Sequence, residues 1–193
     1  MMPQPNQAAL EFLLTRRSRP AKTLTTPVPD RAAIMQILTA AGRTPDHGKL
    51  EPWRFIVLEK DALARIAAEI PTLGTEQGID PAKIDKAAAQ FGNADLAIAV
   101  ISSPQPSEKV PHIEQVYSAG AVCLSLLNAA LASGWGANWL SGWASHDKPF
   151  MQSMLGLTAD ESVAGFIHIG TETNAPPERP RPDIDAKTTW MAQ

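Results

Sequence analysis

Apolar residues recur with helical spacing in some segments of this chain and form continuous runs in others. Three- and four-residue steps among Leu10, Leu13 and Leu14 predict a helix over residues 6–16, with Asn6 as its N-cap. The same spacing, with capping residues or glycines at the ends, predicts further helices over residues 31–43 (capped by Asp30), 60–70, 84–94, 113–133 and 147–156 (ended by Gly156).

Three short apolar runs predict strands over residues 53–59, 95–103 and 163–171. The run over 95–103 is apolar at nearly every position, as is typical of a strand buried on both faces. Prolines, glycines and polar residues predict loops over 44–52 and 104–112, a mobile segment over 71–81, and an extended tail over about 174–193. The stretch 134–145 is rich in glycine and tryptophan. Strands alternating with helices predict an α/β or α+β fold, and a chain of this length is expected to form a single domain over 1–193.

The helix predicted over 113–133 carries apolar or small residues around nearly its whole circumference. Such a helix must be covered on all sides. It is therefore either the central helix of a monomer or a helix shared with a second subunit. We favour the second arrangement, an intimate homodimer.

Composition narrows the possible functions. The chain of 193 residues has a net charge of −3, which argues against nucleic-acid binding, because nucleic-acid binders usually carry excess basic charge. Cys123 is a lone cysteine in an apolar segment, so we expect a buried, inert thiol and a reducing compartment. The N-terminus has no signal-peptide pattern, and the apolar segment 119–134 is shorter than a membrane span needs. These features predict a cytoplasmic protein with no membrane partner.

Several catalytic motifs are absent from the sequence. Its four histidines are scattered, without the spacing of a zinc site, so no metal is expected. Ser141 and His146 lie close in sequence but without a nucleophile-elbow motif, which favours structural roles. The GWGANW stretch lacks the third glycine of a dinucleotide loop and follows a helix. Its glycines instead indicate a tight turn or close approach to a flat ligand.

The TRRSRP stretch places three arginines within four residues on a slightly acidic chain. One interpretation is that Arg16 and Arg17 compensate the dipole at the end of the first helix. The alternative is an anionic ligand: guanidinium groups bind phosphate through paired, charge-assisted hydrogen bonds, and Ser18 adds a hydroxyl donor. Arg43 and Lys49 add positive charge elsewhere. The residues alone leave both interpretations open.

Five motifs occur together in the order typical of one enzyme family. They are LLTRRSRP, AGRTPDHGKLEPWRFIVL, KVPHIEQVYSAGAV, GWGANWLSG and VAGFIHIGT. Together they span nearly the whole chain, which resembles the nitroreductase family, and within it the minimal YdjA-like NAD(P)H nitroreductases. The resemblance implies an α+β nitroreductase-like fold, with a mostly antiparallel central sheet flanked by helices, in an interlocked homodimer with FMN at its interface.

The resemblance also implies roles for particular residues. Arg16, Arg17 and Ser18 would hold the ribityl phosphate and the flavin edge. Arg43 and His47 would reach the flavin from the partner subunit.

Further roles follow from the later motifs. Trp139, Leu140 and Ser141 would line the flavin, and Arg181 in the tail would meet the phosphate. Close relatives often have arginine at the position of Leu140, so only its backbone contact is expected here. The stretch that the family links to NAD(P)H corresponds to Ala129, Ala130, Leu131, Ala132, Ser133 and Gly134.

The implied activity is that of an FMN-dependent oxidoreductase. Hydride would pass from NAD(P)H through flavin N5 to an electron-poor acceptor, nitroaromatic or quinone-like, in a ping-pong sequence. The flavin would carry the chemistry, so no catalytic side chain is predicted. Two alternatives are a non-enzymatic flavin-binding or sensing protein and another flavin reaction on the same fold, such as dehalogenation.

Overall fold

The computed structural model describes residues 4–192. The helices in this part of the chain are α1 (Gln7–Thr15), α2 (Arg31–Ala41), α3 (Lys60–Glu76), α4 (Pro81–Gly92), α5 (His112–Ala132), α6 (Trp143–His146) and α7 (Lys148–Leu155). The strands are β1 (Leu24–Thr25), β2 (Trp53–Glu59), β3 (Leu96–Ser102), β4 (Gly136–Leu140) and β5 (Ser162–Glu172). The predicted domain and its tail also include residues 1–3 and 193, which lie outside the described residues.

Strand β5 is the centre of the sheet. Its first half pairs with β3, and β3 pairs in turn with β2. Strand β4 pairs with residues 166–170 of β5, and the short β1 pairs with its C-terminal residues 171 and 172. All these described pairs are antiparallel, which confirms the prediction of a mostly antiparallel sheet.

The sheet separates two apolar cores. Residues of β5 alternate between them, so that Phe166 packs with α3 and α4, while Ile167 and Ile169 pack with α2 and α5. Every residue of β3 is buried, which confirms that this strand is covered on both faces.

Local signals fixed several helix ends as predicted. The Asn6 side chain accepts a hydrogen bond from the Ala9 N–H at 3.1 Å, and Asp30 accepts one from Ala33 at 2.9 Å. Gly156 ends α7 in the left-handed conformation, with φ 65°. These contacts satisfy backbone groups that a helix end otherwise leaves unpaired.

The prediction of a mobile segment over 71–81 was wrong. Helix α3 continues through Pro71 to Glu76, although an internal proline usually costs about 3 kcal/mol. Packing explains this result: Gly74 is so close to α4 that a Cβ there would lie 2.5 Å from Ile84 Cγ1. The contact between α3 and α4 therefore stabilises the last turn of the helix.

Helix α5 is buried on one face only. Eight residues face the core, among them Val122, Cys123 and Leu126. The exposed side includes Ile113 (50% exposed), Tyr117 (68%) and Leu124 (45%). The single chain thus leaves uncovered a helix surface that the sequence predicts to be covered.

By length and composition, α5 is long and apolar enough to cross a membrane. The apolar segment 119–134 was too short to do so, but the helix begins earlier, at His112. Core helices of globular proteins meet the same criterion, and one face of α5 lies in the core beside α2.

An ion pair between a partly exposed arginine and a buried carboxylate joins β2 to the turn before β5. Arg54 donates from Nε to Glu161 Oε1 at 2.6 Å and from Nη2 to Oε2 at 2.8 Å. The Thr158 N–H also donates to Glu161 Oε2, at 3.0 Å. The hydrogen bonds from Arg54 are the main reason that the pKa of Glu161 falls from 4.5 to about 2.

We expect Glu161→Gln to lower the free energy of unfolding at pH 7 by about 1–2 kcal/mol, because it removes the charge of a buried carboxylate whose arginine partner is partly screened by solvent. The pKa of Glu161 is lower in the folded chain than its ordinary 4.5. The wild-type advantage should therefore be complete above about pH 4.5 and disappear as the pH falls towards 2. Urea unfolding across this range measures it, with exposed Glu69→Gln as the control. A constant difference between wild type and variant at all pH values would contradict this role.

Candidate functional site

The three arginines of TRRSRP line one cavity. Helix α1 ends at Thr15 because Arg16 adopts an extended conformation, with φ −56° and ψ 147°. The following residues then border a cavity of about 350 Å³ at the C-terminal end of α5. We call it the arginine cavity; its lining includes Arg16, Arg17, Arg19, Leu131, Gly134 and Glu172.

The arginine cavity contains uncompensated positive charge. Arg19 Nη1 lies 3.4 Å from Glu172 Oε1, so this arginine has a carboxylate partner. The buried Nε of Arg16 and the buried Nε and Nη1 of Arg17 have no hydrogen-bond partner among residues 4–192. Burial, followed by the charge of Arg181, lowers the pKa of Arg16. An anion in this cavity would satisfy all three nitrogens.

The tail brings a fourth arginine to the end of α1. Arg181 donates to the backbone carbonyls of Thr15 and Arg16, each at 3.4 Å. Its guanidinium also lies 3.1 Å from the carboxylate of Glu178. The structure thus brings Arg16, Arg17 and Arg181 together, although they are far apart in sequence.

A second, more apolar cleft lies between β4 and α4. It measures about 510 Å³, within the range of small-molecule sites. We call it the β4 cleft; its lining includes Lys22, Lys86, Gln90, Leu140, Ser141 and His168.

The same two segments, residues 16–22 and strand β4, border both the arginine cavity and the β4 cleft. Arg16 to Arg19 border the first and Pro20 to Lys22 the second, while β4 contributes Gly136 to the first and Leu140 to the second. The Arg19 N–H donates to the Ala137 carbonyl at 2.8 Å and joins the two segments. Leu140 lies four positions after Gly136, which corresponds to about 13 Å along the strand. The two spaces could therefore accept opposite ends of one elongated ligand.

Trp139 projects to the other face of β4 from the cleft. Its indole lies against Gly165, where a Cβ would be 2.0 Å from Nε1, so only glycine leaves room for it. Trp139 remains 37% exposed. The glycine- and tryptophan-rich stretch thus contains a strand, β4, that the sequence did not indicate, and Trp139, Leu140 and Ser141 lie at its end.

The structure does not bring Arg43 and His47 to this site within one chain. Arg43 is exposed after α2, and His47 Nδ1 lies 2.5 Å from Glu114 Oε2 at the start of α5. Leu131, at the other end of α5, borders the arginine cavity. Leu131 lies 17 positions after Glu114, which corresponds to about 25 Å of helix.

The segment 129–134 ends α5 beside the arginine cavity. Leu131 and Gly134 line the cavity, whereas Ala130 is buried in the core. Ser133 donates its hydroxyl to the Ala129 carbonyl at 2.8 Å, and Ala132 is exposed.

Comparison with known proteins identifies the family. A model described as the Nitroreductase family matches residues 13–171. An Escherichia coli protein named "Putative NAD(P)H nitroreductase YdjA" is 36% identical over 163 residues, which cover 84% of this chain and 87% of that protein. The chain belongs to the nitroreductase family. This result confirms the resemblance to the YdjA-like branch and places the chain among oxidoreductases.

Solved structures confirm the nitroreductase fold. A nitroreductase-like family protein from Bacillus cereus superposes with a TM-score of 0.78 at 21% identity, covering 100% of both chains. A "putative nitroreductase in complex with FMN" from Desulfovibrio desulfuricans has a TM-score of 0.72 at 22% identity, covering 95% of this chain and 96% of that one.

The family motifs did not indicate the polar floor of the β4 cleft. His168 is 2% exposed, and neither ring nitrogen has a hydrogen-bond partner within residues 4–192. The sequence did contain one signal, a histidine in the middle of the apolar run VAGFIHIGT. Packing of a buried strand does not require a polar side chain at such a position, and a buried polar group usually has a hydrogen-bond partner. Burial lowers the pKa of His168 from 6.5 to about 4, so its imidazole is neutral at pH 7.

We expect His168→Leu to flatten the pH dependence of stability between about pH 4 and 6.5. In this window the unfolded wild-type chain binds a proton that the folded chain does not, so wild-type stability should rise with pH by about 3 kcal/mol. Urea unfolding at pH 4.5, 5.5, 6.5 and 7.5 measures the slope, with exposed His112→Gln as a matched control. Equal slopes for wild type and His168→Leu would show that His168 is not the group responsible.

Proposed function

We propose that this protein is an FMN-dependent oxidoreductase that uses NAD(P)H to reduce an electron-poor acceptor, nitroaromatic or quinone-like, in a ping-pong sequence. The proposal includes a single FMN-binding domain, a homodimer and a cytoplasmic location. The observation that carries it is the pair of spaces bordered by the two ends of β4, one with unpartnered guanidinium groups and one with more apolar walls. FMN has the same polarity, with a phosphate at one end and a flat ring system at the other.

The arginine cavity fits the phosphate of FMN. Arg16 and Arg17 present buried N–H groups with no partner among residues 4–192, and phosphate oxygens accept such bonds in pairs. Ser18 lies next to them, and its Oγ accepts a hydrogen bond of 3.4 Å from Arg16 Nη2. Arg181 adds a further cation at the same helix end.

The end of β4 fits the ring system. Leu140 and Ser141 border a cleft with predominantly apolar walls. Trp139 lies next to Leu140 in sequence but on the other face of the strand, so its proposed contact with the flavin is made outside this cleft. When bound, FMN supplies hydride-transfer chemistry, so we assign no catalytic residue to the protein. The segment 129–134, beside the arginine cavity, is proposed to contact NAD(P)H.

The names of similar proteins support this proposal. The D. desulfuricans structure contains FMN, and the E. coli relative is named an NAD(P)H nitroreductase.

The exposed apolar surfaces support a homodimer. Leu13 and Leu14 of α1 are 57% and 67% exposed, in addition to the exposed face of α5. Neither Arg43 nor His47 lines the arginine cavity of its own chain, and His47 contacts Glu114 about 25 Å of helix away from it. Their proposed contact with FMN therefore requires the site of a second chain.

Flavin binding and reduction test the function directly. We expect the wild-type protein to bind FMN. The visible absorbance of the bound flavin should fall when NADH or NADPH is added in the absence of oxygen. Arg17→Ala should raise the Kd for FMN about tenfold or more, because charged hydrogen bonds contribute about 1.5–3 kcal/mol. Fluorescence titration measures the Kd, and the spectrum reports reduction.

Two controls separate the possible results. Arg31→Ala, at the exposed start of α2, should leave the affinity unchanged, and riboflavin, which lacks the phosphate, should bind Arg17→Ala and wild type equally. Bound FMN that neither nicotinamide reduces would favour a storage or sensing role, and no FMN binding would refute the proposal.

We expect Leu124→Glu to convert the dimer into a folded monomer, because Leu124 lies on the exposed face of α5 and a charge there would be buried between chains. Sedimentation velocity and circular dichroism measure assembly and folding. Leu127→Glu is the contrasting variant: Leu127 is only 3% exposed, so this change should unfold the chain itself. A dimeric Leu124→Glu protein would exclude this face as the interface.

A further inference from the structure

The floor of the β4 cleft contains two polar side chains without partners. His168 projects from β5, and both of its ring nitrogens are buried and unpaired within residues 4–192. Gln90 comes from α4, and its buried Nε2 is also unpaired in that part of the chain. Burying such groups without hydrogen bonds destabilises a protein. Their presence together in a cleft indicates a polar ligand edge.

The chemistry of these two side chains restricts that edge. The imidazole of His168 is neutral near pH 7 because burial lowers its pKa to about 4. A neutral imidazole provides one donor and one acceptor, and the Gln90 amide provides both kinds of group. The cleft floor therefore matches an uncharged edge in which donors and acceptors alternate.

The cationic residues of the cleft lie elsewhere. Lys22 and Lys86 also line it, but both are exposed. A carboxylate or phosphate would be attracted to these lysines at the mouth rather than to the neutral floor. The floor thus selects for a polar but uncharged group that enters deeply.

The floor also lies where the proposed function requires the ring. Leu140 and Ser141 border the same cleft, and the Arg19–Ala137 hydrogen bond holds together the two segments that border both this cleft and the arginine cavity. The pyrimidine edge of the flavin ring carries a C2 carbonyl, an N3–H and a C4 carbonyl, which alternate acceptor, donor and acceptor without charge.

Building on the proposed function, we propose that His168 and Gln90 hydrogen-bond the pyrimidine edge of the FMN ring and select a ring with an unsubstituted imide. Both would act as binding and positioning residues. Neither takes a proton or hydride from the substrate.

Binding of an N3-methylated flavin tests this inference without any substitution. Methylation removes the N3 donor and adds bulk at the same edge, so wild-type protein should bind N3-methyl-FMN about tenfold more weakly than FMN. Fluorescence titration and the visible spectrum of the bound flavin measure the effect. Neither readout depends on enzymatic activity.

Variants then identify the residues responsible. His168→Leu and Gln90→Leu should each weaken FMN binding about five- to tenfold and reduce discrimination against the methylated ring. His168→Asn, which keeps donor and acceptor groups, should recover part of the affinity. Ile167→Val, on the opposite face of β5, is the matched control and should bind like wild type. Circular dichroism confirms folding in each case.

The outcomes distinguish the two proposals. If FMN binding responds to Arg17→Ala but not to N3 methylation or to His168→Leu, the His168 inference is wrong and the proposed function stands. If wild-type protein binds no FMN, both are wrong. Lost discrimination in the two leucine variants, with normal discrimination in Ile167→Val, supports the inference.

Discussion

The pairing of β4 with β5 is the constraint on which the site depends. This ladder fixes β4 as a neighbour of the central strand, from Gly136 opposite Gly170 to Leu140 opposite Phe166. One end of β4 consequently meets the arginines after α1, and the other end meets α4. The same ladder places Asn138 opposite His168, so the cleft floor belongs to the buried middle of the central strand. A rigid floor of this kind suits precise recognition of a flat ligand.

Charge and burial act against each other at the end of α1. Burying guanidinium groups lowers the stability of the folded chain. The negative end of the helix dipole offsets only part of this cost. The sequence left two interpretations of Arg16 and Arg17 open, namely dipole compensation and anion binding. The structure places Arg181, rather than Arg16 or Arg17, in hydrogen bonds with the carbonyls of Thr15 and Arg16. The unpartnered nitrogens of Arg16 and Arg17 therefore favour the anion.

Short-range signals were readable from the sequence, whereas features made by distant contacts were not. The caps at Asn6 and Asp30, the buried strand β3 and the stop at Gly156 depend on neighbouring residues, and all were predicted correctly. The passage of α3 through Pro71 depends on packing against Ile84, and β4 depends on pairing with β5. The family resemblance supplied the candidate site. It did not indicate His168, because the role of that residue follows from burial beside α4.

The unpartnered arginines have a consequence for the life of the protein in the cell. A ligand that binds only the folded chain raises stability in proportion to the logarithm of its concentration. Without that ligand, repulsion between the clustered arginines lowers the stability of the folded chain. The chain then unfolds more often and is cleaved by proteases more often. If the arginine cavity holds an anion in the cell, the abundance of this protein would then follow the supply of that anion.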